Sequence, residues 1–407
     1  MKHSLSIAKG PKQRLFLAYL NSEFAKRAVR CQAALEITAD GSFKARVHTV
    51  FGEDFGQIEL QWVFDTSSTG ELLSVDVSPV GEGIDGPAVD WENAAQDVVN
   101  SAFRSAFNER RTRTVRRQLL YYIGPQLDGE YWFRDVRLAP AMLDDPSPVS
   151  INSERVVALD FVVDSIDELD ALYLASEFSR RWAARFSLLL DVDLYELHAA
   201  EQVWVYRPEV SRSERLQRGV YDIPVRLTIM PRKGSMFGAG ARGSPIATYG
   251  RTTGTLKMPP EARRVLRGLD DLAEPVKNAF DGAARLYQIG LSLLQRFPSA
   301  ALAYRVAAID ALQQTEAGCN GFSEFMRKYS PKAAADPKVL DYLHSDIRSS
   351  HFHAGKFDLG EFSAQRHLDI VTDPDTAHHS RLRSLCFEIT REALVNWMLL
   401  IAAPPCS

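Results

Sequence analysis

Near residue 260 the spacing of apolar residues changes from two to three and four, so the two parts of this chain cannot be built from the same kind of element. Upstream, residues 31 to 80 alternate apolar and polar in short runs such as Ala33-Ala34-Leu35-Glu36-Ile37 and Gln57-Ile58-Glu59-Leu60-Gln61-Trp62-Val63-Phe64. Asp40-Gly41 and Ser68-Thr69-Gly70 interrupt them, which predicts antiparallel strands joined by turns. Asp90 to Glu109 reads as a helix, with further strands around Gln118–Ile123 and Tyr131–Arg137. The mixture repeats: Val156–Val163 as a buried strand, Ile166–Leu190 as an amphipathic helix, Tyr195–Tyr206 as a strand.

Beyond Glu261 the period is helical throughout. Val276, Phe280, Ala283, Tyr287, Leu291 and Leu294 form one stripe. Ala301–Gln314, opened by Pro298-Ser299, carries a second, and Leu382, Leu385, Ile389, Ala393, Trp397 and Leu400 a third. The expected class is α+β, a mixed strand and helix region followed by an all-α helical bundle.

A chain of 407 residues is long enough for two or three cores. Residues 1–150 are expected as an N-terminal α+β region and 151–230 as a second α+β part, either of the same domain or separate. Residues 231–260 are expected as a linker or long functional loop and 261–407 as the helical domain. The loop assignment rests on Pro231–Pro260, which holds no acidic residue and has six glycines between Gly234 and Gly254. Within it Gly238-Ala239-Gly240-Ala241-Arg242-Gly243 matches Gly-x-Gly-x-x-Gly. A dinucleotide site requires that motif to open a helix, whereas here Ser244-Pro245 follows, so the reading is a loop.

The net charge of -4 excludes general affinity for nucleic acid, so any such contact must be local. Two local basic groups qualify: Arg110, Arg111 and Arg113 in a run of six arginines from Arg104 to Arg117, and Arg232, Lys233 and Arg242 in the glycine-rich loop. The first is equally the solvated end of a helix. Arginine outnumbers lysine 36 to 12 over the chain, a general bias more than a signal. Cys31, Cys319, Cys386 and Cys406 are far apart, which argues against a disulfide framework or thiolate metal site and for a reducing compartment. Lys9, Lys12 and Arg14 break the N-terminal segment before a secretion-signal core forms. The most apolar run, Ala393–Ala403, is interrupted by Asn396 and falls short of the roughly 20 residues of a membrane span. A cytoplasmic, membrane-free protein is expected.

Six of the nine histidines lie between His344 and His379, around Arg348-Ser349-Ser350-His351-Phe352-His353-Ala354-Gly355. This stretch sets an always-charged guanidinium five residues before an imidazole that exchanges protons near neutrality. RNA cleavage without metal requires removing the 2′-hydroxyl proton, stabilising charge on phosphorus and protonating the leaving oxygen. His353 suits the acid/base role and Arg348 the phosphate clamp, with Ser349 a phosphate hydrogen-bond donor and His351 a second proton donor. On an ideal α-helix five residues turn through roughly 140°, so Arg348 and His353 would not share a face whereas His344, Arg348 and His351 would. A helix end before Gly355, or a site shared between two chains, would reconcile them. His351-x-His353 lacks metal-ligand spacing on a helix, and neither a metal nor a cofactor is expected. Walker A, His-Glu-x-x-His and Gly-x-Ser-x-Gly motifs are absent.

The segment Tyr342–Lys356 resembles the signature of the HEPN superfamily: Arg, a spacer of four to six residues, and His, commonly followed by Gly. It is most similar to the Apea-like HEPN subgroup, in which a Tyr or Leu precedes Arg-Ser, as Tyr342 and Ile347 stand ahead of Arg348-Ser349 here. An upstream helix with an acidic residue has its counterpart in Ala308-Ile309-Asp310-Ala311-Leu312, with Asp where Glu is commoner. The resemblance covers roughly residues 270–402 and none of the first 250. It implies an all-helical domain that forms homodimers and acts as a metal-independent endoribonuclease on RNA, as in toxin and antiviral defence systems. The N-terminal region would then sense or regulate, with an activator or a neutralising partner protein. Asp310 and Asp346 are possible supporting residues. The alternative is a catalytically inactive HEPN module for dimerisation, RNA binding or adaptor duty, with Arg348 in a structural ion pair to Asp346 or a neighbouring helix.

Overall fold

The computed structural model describes residues 2–7, 10–38, 42–51, 58–80, 91–108, 111–141, 154–196, 202–207, 212–217, 223–234, 255–294, 296–316, 318–334, 337–357, 359 and 374–401. The class is α+β, and the chain divides into two compact units: residues 1–114 with 163–174, and 115–162 with 175–407.

The first unit contains β1 (Lys2–Ile7), α1 (Pro11–Arg27), β2 (Ala28–Ile37), β3 (Phe43–Phe51), β4 (Ile58–Thr66), β5 (Leu72–Pro79) and α2 (Trp91–Asn108). The strands form one antiparallel sheet in the order β1-β5-β4-β3-β2. Period-two alternation in β4 turns Ile58, Leu60, Trp62 and Phe64 to one face, where α1 buries Phe16, Tyr19, Leu20 and Phe24 and α2 buries Ala95, Val98, Val99 and Ala102. Each large side chain buried there contributes about 1.5–3 kcal/mol. Trp62 Nε1 donates to Thr49 Oγ1 at 2.8 Å, so the indole enters the core with its polar atom satisfied. The helix over Pro11–Arg27 is weakly marked in the sequence. Its signals are Pro11 in the first turn and apolar residues recurring every three or four positions. Among the described residues β2 ends the sheet, and from Arg30 to Ile37 it is exposed along its whole length.

In the second unit, β6 (Thr112–Ile123), β7 (Gln126–Leu127), β8 (Tyr131–Phe133), β9 (Val136–Pro140) and β10 (Glu154–Ser165) lead to α3 (Glu168–Leu190). β11 (Gln202–Arg207), β12 (Arg212–Gln217), β13 (Val225–Leu227) and β14 (Thr255–Leu256) follow. The larger sheet runs β13-β6-β10-β9-β8, β11 pairs with β12, and β14 lies parallel to β7. Of the strand expected over Tyr195–Tyr206, Tyr195 makes a bridge to Tyr121 and β11 covers Gln202–Arg207, while 197–201 lie outside the described residues. Phe133, Phe161, Phe178, Trp182 and Phe186 pack between α3 and the sheet at ring separations of 4.7–6.2 Å. The arginine run is not one helical face. Thr112–Arg117 opens β6, and Arg117 turns inward to hold the buried Asp160 through contacts of 2.6 and 3.1 Å.

Among the described residues from Lys257 to Ile401 every regular element is a helix. These are α4 (Ala262–Asp270), α5 (Glu274–Leu293), α6 (Pro298–Gln313), α7 (Phe322–Tyr329), α8 (Pro331–Ala334), α9 (Pro337–Asp341), a π-helix (Tyr342–Ser349), α10 (Ser350–Ala354) and α11 (Pro374–Ile401). None of the described helices is long and apolar enough to cross a membrane. The α11 core stripe is Cys386, Ile389, Ala393, Leu394 and Trp397, while Leu400, expected inside, is 61% exposed. Trp397 stacks on Phe280 of α5 at 5.9 Å. Gly290 of α5 meets α6 so closely that an added Cβ would lie 2.8 Å from the Ala301 carbonyl oxygen. These helices share their unit with the second sheet. Arg185 of α3 holds Asp281 at 2.7 and 2.9 Å, and Tyr287 Oη donates to Asp191 Oδ1 at 2.5 Å.

Candidate functional site

Asp310 and Arg348 are 38 positions apart in sequence, and the packing of α6 against the π-helix brings them together. Ala308, Ile309 and Leu312 bury one side of α6, leaving Asp310 at the rim of the core with 18% of its side chain exposed. In the π-helix Leu343 and Ile347 are buried, which fixes Arg348 beside α6. Arg348 Nε lies 2.8 Å from Asp310 Oδ2. That oxygen nevertheless accepts no hydrogen bond among the described residues, so the contact is an ion pair and not an aligned hydrogen bond. The terminal Nη groups of Arg348 make no hydrogen bond among the described residues, and 35% of the side chain is exposed. Burial pushes the Asp310 carboxyl above its ordinary range, and the charges of Arg348 and His344 oppose that shift without cancelling it.

His344, which spacing alone sets on one face with Arg348, also stands near Asp310. Its ring lies 5.5 Å from that of Phe322 on α7, and its charge acts on Asp310. Only the fold shows this neighbourhood, because Asp310 is far upstream in the chain.

The π-helix corrects the face arithmetic that assumed α-helical winding. Its hydrogen bonds run from i to i+5, so within Tyr342–Ser349 residues five apart stack more nearly one above another than on an α-helix, whereas His353 lies in the α-wound turn beyond it. Winding returns to α over Ser350–Ala354, and Gly355 ends that helix in the left-handed region at φ 63°. Its N–H donates to the His351 carbonyl at 3.1 Å and that of Lys356 to the Ser350 carbonyl at 3.2 Å.

His351 Nδ1 lies 3.1 Å from the Lys356 carbonyl, and the ring stands edge-on to Phe352 and Phe357 at 5.3 and 5.0 Å. It closes the helix end, and the tautomer that donates through Nδ1 leaves Nε2 for proton transfer. His353 is exposed and makes no hydrogen bond among the described residues. Ser349 is half-buried and Asp346 exposed, and Arg348 pairs with Asp310 and not with Asp346. Phe352 meets Tyr304 of α6 edge-on at 5.8 Å, tying α10 to the helix that carries Asp310. Among the described residues no three His, Cys, Asp or Glu side chains cluster as metal ligands.

The chain matches no protein-family model, no curated protein and no solved structure. Its function is therefore argued from its own residues.

Of the two basic groups, Arg111 and Arg113 are exposed in the first unit, and Arg232 and Lys233 are exposed in the second. Arg110, Arg242 and the Gly-x-Gly-x-x-Gly segment lie outside the described residues. At the described end of that loop, Gly234 N–H donates to Glu130 Oε1 at 2.5 Å.

Proposed function

We propose that the chain is a metal-independent endoribonuclease of HEPN type, with Arg348 as phosphate clamp and His353 as general base. The observation that carries this reading is how Arg348 is held: its Nε faces Asp310, and both Nη groups are left to form the two-pronged contact that a phosphate accepts. Asp310 positions the guanidinium and does not touch the reacting atoms. His353 takes the 2′-hydroxyl proton, the freed oxygen attacks phosphorus, and Arg348 stabilises the charge on the phosphorane oxygens. The bond to the 5′-oxygen breaks, and that oxygen takes a proton from a second imidazole, His351 or the His353 of a second copy. The products are a 2′,3′-cyclic phosphate and a 5′-hydroxyl. A dimer through the helical residues, and a first unit that restrains or targets the nuclease in a toxin or antiviral system, complete the proposal.

The test is incubation of the full chain with RNA in EDTA, beside Arg348→Ala and His353→Ala. Each variant is expected to lose about 10²- to 10⁴-fold in cleavage. Cleavage that survives both substitutions, or that requires added metal, overturns the assignment. The Arg348–Asp310 ion pair also suits an inactive HEPN module. Binding of RNA through Arg348 without cleavage assigns that second reading.

A further inference from the structure

The edge strand β2 carries a self-complementary pattern. We propose that it pairs with the β2 of a second copy, antiparallel about a two-fold axis at Ala33, to join two five-stranded sheets into one of ten. This contact goes beyond the nuclease reading and uses none of its residues.

The need for a covering strand comes first. Among the described residues no strand lies beyond β2, and a ten-residue edge of that kind with apolar side chains invites uncontrolled association unless something pairs with it. Val29, Leu35 and Ile37 are 77%, 64% and 73% exposed, and Cys31 is exposed beside them. The β2–β3–β4 register aligns Leu35 with Ala45 and Phe64, Ala33 with Val47 and Trp62, and Cys31 with Thr49 and Leu60. Phe64, Trp62, Leu60 and Thr49 are buried, so the apolar side of β2 continues the core face of the sheet beyond its helical cover.

The occupant follows from charge and register. With the axis at Ala33, Arg30 of each copy faces Glu36 of the other, Cys31 faces Leu35, Gln32 faces Ala34, and Ala33 meets its own counterpart. The regular ladder of β2 runs from Arg30 to Ile37, with a register shift at Val29, so the pairing is argued over Arg30 to Glu36. Sliding the strands by two residues puts Arg30 opposite Ala34 or loses it from the ladder, and sliding by one sets the apolar side of one copy against the polar side of the other. Only the Ala33 register pairs each charge between Arg30 and Glu36 with its opposite and sets Leu35 against Cys31. Glu36 already pairs with Arg46 of its own β3 at 2.7 Å, and its second carboxylate oxygen is free to meet the incoming guanidinium. The contact is isologous, so it uses both edges and closes at two copies.

The test compares the solution mass of the full chain with that of Arg30→Glu and Glu36→Arg, each checked for folding by circular dichroism. Each variant alone sets like charges opposite each other twice, and its mass is expected to fall to half the wild-type value or less. Mixing the two in equal amounts sets two carboxylates on one chain, at positions 30 and 36, against two guanidiniums at positions 36 and 30 of the other. That mixture is expected to restore the wild-type mass. Independently, oxidation should link Ala33→Cys in a Cys31→Ser background into a covalent dimer. The native Cys31 should not link, because two copies would lie about 13 Å apart along the ladder. Single variants that keep the wild-type mass, or a mixture that fails to regain it, overturn the pairing. So does a monomeric wild type, which would leave the edge for a strand of another protein. Linking through Cys31 and not through position 33 overturns the register.

Discussion

Asp160 and Asp310 are both aspartates facing arginines in the second unit, and the difference between their surroundings separates scaffold from site. Asp160 has no exposed area and is saturated: Arg117 grips both oxygens, and Arg137, itself fully buried, adds a contact of 2.7 Å. Arg137 in turn meets Glu130 at 2.9 Å, so every charge in the network has a partner. Asp310 has a single arginine, held by one nitrogen off the hydrogen-bond line, and the remaining donors of that arginine point to no described acceptor. A closed network leaves no group to offer a ligand. The open one does, and burial holds its carboxyl above the ordinary range against the opposing charge of Arg348.

Three substitutions press on this contrast. Asp160→Asn leaves Arg137 buried with half its compensation, and a loss of about 3–5 kcal/mol is expected in urea unfolding. A loss within ordinary surface range would show that the network is not closed. Asp310→Asn should reduce RNA cleavage about ten- to hundredfold through a misplaced Arg348 while leaving the fold intact. Unchanged cleavage would make the ion pair structural only. Gly355→Ala places a side chain at φ 63° and should cost about 1–2 kcal/mol, read as a lower melting temperature. A neutral result would mean that the end of α10 does not depend on that left-handed residue.

The smallest effect is on pH. The folded chain binds the Asp310 proton more tightly than the unfolded chain, so this group favours folding below the unfolded carboxyl value of about 4. That contribution is lost as pH rises through the folded value. Asp310→Asn, which cannot ionise, should therefore gain stability relative to the wild type on going from acid to neutral pH. A difference that runs the other way would show that Arg348 outweighs burial.

What the sequence revealed divides along the same line as local and non-local physics. The alternation of β2 to β5 and the helical stripe of α5 are properties of neighbouring residues, and both were legible as spacing. Asp310 was reachable because it sits in a helical run at a suggestive distance upstream, but its contact with Arg348 depends on how α6 meets the π-helix. His344 was legible only as a residue on the Arg348 face, and its nearness to Asp310 depends on the same packing. The π-helix itself was illegible, since periodicity rules presuppose 3.6 residues per turn. Arg117 looked like one more member of a surface run, and only the tertiary position of Asp160 reveals it as an interior residue.

Gly290 has a consequence that reaches the far end of α6. Where its missing side chain lets the Ala301 carbonyl approach, the two helices have no slack in which to slide. Asp310 stands nine residues further along the same rod, about 14 Å away. The crossing therefore acts as a fulcrum. A methyl group added at one end of this lever would tilt the carboxylate at the other, and the aim of Arg348 is set in part by a residue that carries no chemistry of its own.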